Sequence, residues 1–297
     1  MVARSRHINF TNCTFTQNGA WGLRLHNGTQ HAAVSRCSFA DLSGGAVAIG
    51  DVNDTRQTNP QNQTASITIA DNVIEGMGRE YKGAPGVHSF CMRDSAIEHN
   101  TIRSISYTGI SYNWPAPQGS TLGGVPCTLD PQYGYSRNNR VANNDVSAFM
   151  SYMYDGGGIH TIGRSLNTTI TGNYFHDIAA GTPSAHSSSG QSVVYIDNWS
   201  CGLAITDTVV SNCAATKQGF YYFQNARIAL AHDNTLDRLY VRHGGRISGN
   251  GVPCNCSNVV LLNGSDPWPQ AAKSIIANAG PREVSYEAHS DPNTNAR

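Results

Sequence analysis

Apolar positions in this chain come in short runs of alternating residues, set off by small polar ones, and the pattern recurs along the whole sequence. Cys13-Thr-Phe15 precedes Gly22-Leu-Arg-Leu25, and Cys37-Ser-Phe39 precedes Ala46-Val-Ala-Ile49. Asn72-Val-Ile74 precedes Gly86-Val87, and Asn100-Thr-Ile102 precedes Gly109-Ile-Ser-Tyr112. Asn144-Asp-Val146, Asn173-Tyr-Phe175, Asp207-Thr-Val209, Asn234-Thr-Leu236 and Asn258-Val-Val260 continue the series. Successive starts lie 24 to 44 residues apart. Constant elements joined by loops of varying length mark a repeat architecture, in which no unit buries its own apolar face and stacking makes one core.

The runs are too short for helices and are rich in β-branched and aromatic residues, so they predict strands. The pattern therefore predicts an all-β fold, a right-handed parallel β-helix of pectate-lyase type. About nine units are expected, with a short C-terminal helix. Asn72, Asn100, Asn144, Asn173 and Asn234 are expected in one column, because Asn carries both donor and acceptor and tolerates left-handed backbone. An antiparallel sandwich is the alternative, but tight hairpin signals are few. Residues 1–264 form the repeat domain on this reading, and 265–297 a helix and tail packed on its last unit. Ser265-Asp-Pro-Trp-Pro before the apolar run Ala271–Ala279, then Gly280-Pro281, supplies helix start and stop signals. The chain enters its first unit at once through Ile8, Phe10, Cys13 and Phe15. Its start is accordingly read as truncated, with no signal peptide present.

Composition narrows the partners. Charged residues make up 13% of the 297 residues and the formal net charge is zero. That disfavours nucleic acid, whose phosphates need a basic surface. No apolar run approaches the roughly 20 residues needed to span a bilayer. Cys13 and Cys37 occupy equivalent places and read as stacked core thiols. Cys91, Cys127, Cys201 and Cys254 are disulfide candidates whose pairing the sequence leaves open. No cysteine group has histidines at zinc spacing, so no metal and no cofactor are expected. Dense glycosylation sequons favour an extracellular or cell-surface location.

Candidate chemistry concentrates between Tyr107 and Trp199. Two long insertions, 115–135 and 180–191, rise from neighbouring units and are placed to wall a cleft. Asp155 and Asp197 are the expected catalytic carboxylates. His160, Tyr112, Trp114, Tyr154, Tyr195 and Trp199 are the expected substrate contacts, with Tyr152 nearby. Aromatic faces stack on sugar rings and carboxylates serve as acid and base, so the set points to a polysaccharide or oligosaccharide. Asp197 follows an apolar strand, where an unpaired carboxylate is costly unless it lines a cleft. A glycan-binding protein without catalysis, and a lyase or epimerase, remain alternatives. For the latter two the stretch offers only Arg164 to neutralise a uronate.

Asp155-Gly-Gly-Gly-Ile-His-Thr-Ile-Gly163 also resembles a motif of glycoside hydrolase family 141. That motif reads Asp-Gly-Gly-Gly-Ile-Tyr-Thr-Leu-Gly, with Gly or Ala at the fourth place. Glu98-His-Asn-Thr-Ile102 leading to Tyr107-Thr-Gly-Ile-Ser111, Tyr195-Ile-Asp197, and Trp268–Ile276 with Asn278-Ala-Gly280 resemble the same family in the same order. The family includes α-L-fucosidase and xylanase activities. The resemblance implies glycoside hydrolysis with Asp155 and Asp197 as its carboxylates. His160 stands where the family has Tyr, and Asn198 where it has an acid.

Overall fold

The computed structural model describes residues 1–52, 54, 57–113, 135–178, 192–197, 199–213, 221–223, 233–242, 247–249 and 256–282. Among these residues strands dominate, with one short α-helix at Gln270–Asn278. Nine strands form one parallel sheet in chain order. They are Val2–Ala3, Leu23–His26, Val47–Ile49, Val87–Ser89, Ile110–Tyr112, Ile159–Thr161, Val194–Ile196, Tyr221–Phe223 and Ile247–Gly249. The other fifteen described strands form a second parallel sheet.

The large sheet arises from two rows. One row runs from Arg6–Thr11 through Gln30–Ser35, Ala65–Ala70, Ala96–Glu98 and Arg140–Ala142 to Arg164–Thr171. The other runs from Thr14–Thr16 to Tyr174–His176. The eleven-residue strand Cys201–Ser211 pairs with both Arg164–Thr171 and Tyr174–His176 and so joins the rows. This corrects the expected fold class. The right-handed parallel β-helix of pectate-lyase type gives way to two large parallel sheets, of nine and fifteen strands, with one short helix.

The corners within the large sheet follow a rule. Asp71, His99, Asn143 and Asp207 have φ of 58°, 54°, 53° and 50°, and each precedes a buried polar residue. After Asp71, His99 and Asn143 that next residue is an Asn that bonds back to the preceding unit, whereas Thr208 bonds Thr206 O within its own strand. Asn100 Oδ1 accepts from the Asn72 backbone N–H at 3.1 Å and from Asn72 Nδ2 at 2.9 Å. Asn144 Oδ1 does the same for Asn100, and Asn173 Oδ1 for Asn144. The column begins with Cys13, whose N–H faces Cys37 Sγ at 3.4 Å, and Cys37, whose N–H donates to Asn72 Oδ1 at 2.9 Å. Each amide thus satisfies backbone groups that the sharp corner takes out of the sheet.

Asn234 is not in that column. It belongs to a second one, with Ser95, Asn139 and Thr168, again each preceded by a left-handed residue: Asp233, Asp94, Asn138 and Asn167. There Asn139 Oδ1 accepts from the Ser95 N–H at 3.0 Å, and Asn234 Oδ1 from the Leu203 N–H at 3.1 Å. The two columns have the same local chemistry, and only the strand register tells them apart.

The core is a continuous stack of buried side chains, among them Leu25, Ile49, Phe39, Ile102, Phe149 and Phe175. The helix Gln270–Asn278 lies against Val209 and Tyr240 through Ala272, with Trp268, Ile275 and Ile276 around it. Its expected polar cap differs. Pro269 occupies the cap position without a side-chain bond, while the Asp266 carboxylate accepts from the Asn263 N–H at 2.8 Å. Beyond the helix the chain runs back across earlier units: Gly280 N–H donates to Asn143 O, His99 Nδ1 lies 3.1 Å from Gly280 O, and Arg282 pairs with Asp71.

Candidate active site

The strands of the nine-stranded sheet are mostly three residues long, so the middle residue points away from the core while its neighbours point in. Register places Arg24, Ala48, His88, Ser111, His160 and Tyr195 side by side in one outward row. Both expected carboxylates flank this row. Asp155 sits in the turn before Ile159–Thr161, at φ 65°. Asp197 follows Val194–Ile196 directly, and its N–H donates to Thr161 O at 2.9 Å.

The row brings the two carboxylates into one hydrogen-bond network. Tyr195 donates its hydroxyl proton to Asp155 Oδ1 at 2.6 Å. His160 Nε2 lies 3.1 Å from Asp197 Oδ2. The His160 and Tyr195 rings pack with centroids 4.5 Å apart. Tyr107 closes the circuit: its hydroxyl donates to the Asp155 carbonyl at 2.7 Å and stands 3.5 Å from His160 Nδ1. His160 and Tyr195 are buried, Asp197 is 7% exposed, and Asp155 is half-buried. Burial, with the Asp155 and Asp197 charges, pushes the Tyr107 phenol well above its usual range. Tyr107 is therefore a neutral donor.

The glycine run after Asp155 shapes this geometry. A Cβ on Gly156 would come 2.4 Å from Thr108 Oγ1 and 2.7 Å from the Tyr107 ring. Only glycine lets Tyr107 reach the Asp155 carbonyl.

The expected substrate contacts divide. His160 and Tyr195 join the network, Tyr154 is half-buried beside Asp155, and Trp199 is half-buried in the turn after Asp197. Tyr112 is a correction: it points into the core, fully buried, with its hydroxyl 2.5 Å from Ser165 Oγ and accepting from Asn139 Nδ2 at 2.9 Å. It is a terminal residue of its strand and takes the inward phase of the alternation. Trp114 and both long insertions lie outside the described residues, except for Tyr135. That side chain is buried and donates to Cys91 O at 3.2 Å.

Tyr107, Ser111, His88 and Arg24 were missed as site residues. The signal for the last three was their second place in short strands of three or four residues, which needs the register between units to become a row. His176, flanked by Asp145 at 2.8 Å and Asp177 at 2.6 Å, belongs to the large sheet, outside this row. Among the described residues no group of three or more His, Cys, Asp or Glu is placed to hold a metal, and no helix is long and apolar enough to cross a membrane.

A solved structure called "Glycoside hydrolase" is similar over 95% of this chain, with a TM-score of 0.66 and 22% identity. The fold is glycoside hydrolase-like. The matched region is 40% of that protein's own chain. No protein-family model matches, and no curated protein does.

Proposed function

We propose that this protein hydrolyses glycosidic bonds, with Asp155 and Asp197 as the reacting carboxylates. The observation that carries the reading is the shared network: two carboxylates, one in the turn before Ile159–Thr161 and one just after Val194–Ile196, held by the packed Tyr195 and His160 rings. Glycoside hydrolysis needs two carboxyl groups flanking the scissile bond, one as general acid and the other as nucleophile or base. His160, carrying its proton on Nε2, donates to Asp197 and orients it. Tyr195 and Tyr107 fix Asp155 through its carboxylate and its carbonyl. Tyr154 and Trp199 supply aromatic surface beside the two acids. The likeness to a glycoside hydrolase fold supports a carbohydrate substrate. The Asp155–Gly163 and Tyr195–Asp197 stretches support kinship with family 141. Disulfides at Cys201 and Cys256 support an oxidising, extracellular location.

A panel of plant and algal polysaccharides, read by release of reducing ends, tests the reaction. Asp155→Asn and Asp197→Asn should each lower kcat by about 10²–10⁴-fold on the responsive substrate while the fold is kept. Full activity in both variants would refute the pair. An unsaturated, ultraviolet-absorbing product would instead make the chemistry an elimination.

A further inference from the structure

The outward row does not end at the two carboxylates. Two strands from His160, His88 lines a cavity of about 300 Å³ together with Trp21, Arg24, Ala48, Pro85 and Phe90. We infer that this cavity is a second sugar-binding subsite, holding a neutral sugar ring of an oligosaccharide that runs along the outward row from the Asp155–Asp197 centre. The inference rests on the glycan reading of that centre.

Position is the first argument. Arg24, Ala48 and His88 are consecutive in the row, and Ser111 alone separates His88 from His160. Two strand spacings amount to about 10 Å, within the span of a short oligosaccharide. The small Ala48 side chain between Arg24 and His88 leaves the hollow.

The lining suits a sugar ring. Trp21 is a fixed aromatic platform: a Cβ on Gly45 would come 2.2 Å from its Cζ3, so the indole rests directly on the backbone. Phe90 packs edge-on to His88 with centroids 4.3 Å apart, and Ser111 Oγ meets His88 Nδ1 at 3.0 Å, which sets the imidazole plane. Arg24 offers donors, with its Nε buried and unpaired.

Charge selects a neutral ring over an acidic one. Arg24 Nη2 is 3.4 Å from Asp51 Oδ2, so its charge is already balanced. Burial, with the nearby charges of His160 and Arg24, holds the His88 pKa down to about 4, so it adds no positive charge near neutral pH. A uronate would have to compete with Asp51, whereas hydroxyl groups accept from Arg24 without displacing it.

The Asp155→Asn, Asp197→Asn double variant, which removes turnover, serves for binding. Calorimetry with neutral oligosaccharides from plant and algal polysaccharides forms one arm, and uronate-containing oligosaccharides the other. Neutral oligosaccharides should bind, and adding Trp21→Ala should weaken them about tenfold. Trp21→Phe should restore part of the loss. Arg24→Gln should weaken binding too, and its polar, half-exposed setting keeps the fold, as circular dichroism would verify. Unchanged binding in Trp21→Ala and Arg24→Gln overturns the subsite. Binding of uronate oligosaccharides alone, or of no neutral oligosaccharide, also overturns it. Reducing-end release by the unaltered chain reads the catalytic proposal separately. Binding that depends on Trp21 without any release defeats catalysis alone; release with binding indifferent to Trp21 defeats the subsite alone.

Discussion

Single residues carry both the corners and the site of this protein. Asn100 shows the first. Its amide accepts from the Asn72 N–H and side chain and donates to Ile69 O, Glu98 O and Asn144 Oδ1. Asn100→Ala strands several of these groups, at about 1–3 kcal/mol for each buried group left unpaired. Urea unfolding should show a loss well above that of an exposed Asn→Ala control; a loss within 0.5 kcal/mol, the usual range for surface changes, would contradict the ladder's role. Tyr107 shows the second. Tyr107→Phe removes only the hydroxyl that ties Asp155 O to the His160 edge, so kcat should fall with stability almost unchanged. Gly156→Ala should lower activity through the same contact by displacing the Tyr107 ring. Equal activity in both variants would mean that Tyr107 does not position Asp155.

At the scale of elements, the C-terminal helix acts as a brace on the long strand that joins the two rows of the large sheet. Ala272 is fully buried against Val209 and Tyr240, and the Arg242 guanidinium stacks on Trp268 at 4.0 Å. Ala272→Asp places a carboxylate in that apolar contact. Denaturant unfolding should register a loss of roughly 3 kcal/mol, unless the helix undocks first and caps the loss at its own docking energy. The Arg282–Asp71 pair farther along the same segment is largely exposed on the arginine side. Arg282→Ala should therefore cost less than about 1 kcal/mol, because solvent screens such pairs. Reversal of that ranking would show that the strap, rather than the helix, holds the segment down.

At the scale of the whole molecule, two buried groups give stability opposite dependences on pH. Burial raises the Asp54 pKa to about 6 from an ordinary 3.8, so between these values the folded state binds the extra proton. Its contribution falls as pH rises through that window and is lowest above it. His88 is the reverse. Its folded pKa of about 4 lies below the unfolded 6.5, so its contribution falls as pH drops from 6.5 towards 4. Against the unaltered chain, Asp54→Asn should gain relative Tm as pH rises from 4 to 6. His88→Asn should gain relative Tm as pH falls over 6.5 to 4. Differences of about 2 °C or more are expected, read by thermal melts across the window. Parallel melting curves for a variant and the unaltered chain would show that the group does not titrate as its burial implies.

Much of this protein was legible from one dimension. Alternating short apolar runs identified strands and a shared core, because burial of one face has a period that any unit repeats. Asn72, Asn100, Asn144 and Asn173 fell in one column because a sharp corner leaves backbone groups that only such side chains satisfy. Asp155, His160, Tyr195 and Asp197 were expected near one another from their clustering with aromatic residues, and the structure joins them by hydrogen bonds. The tertiary structure decided what depends on register. It moved Asn234 to the second column, turned Tyr112 into the core and merged two rows of strands through Cys201–Ser211. It also placed Tyr107 against Asp155 and aligned Arg24 and His88 with the two carboxylates. Pairing between units separated by loops of unequal length sets those contacts, and no local pattern of residues encodes it.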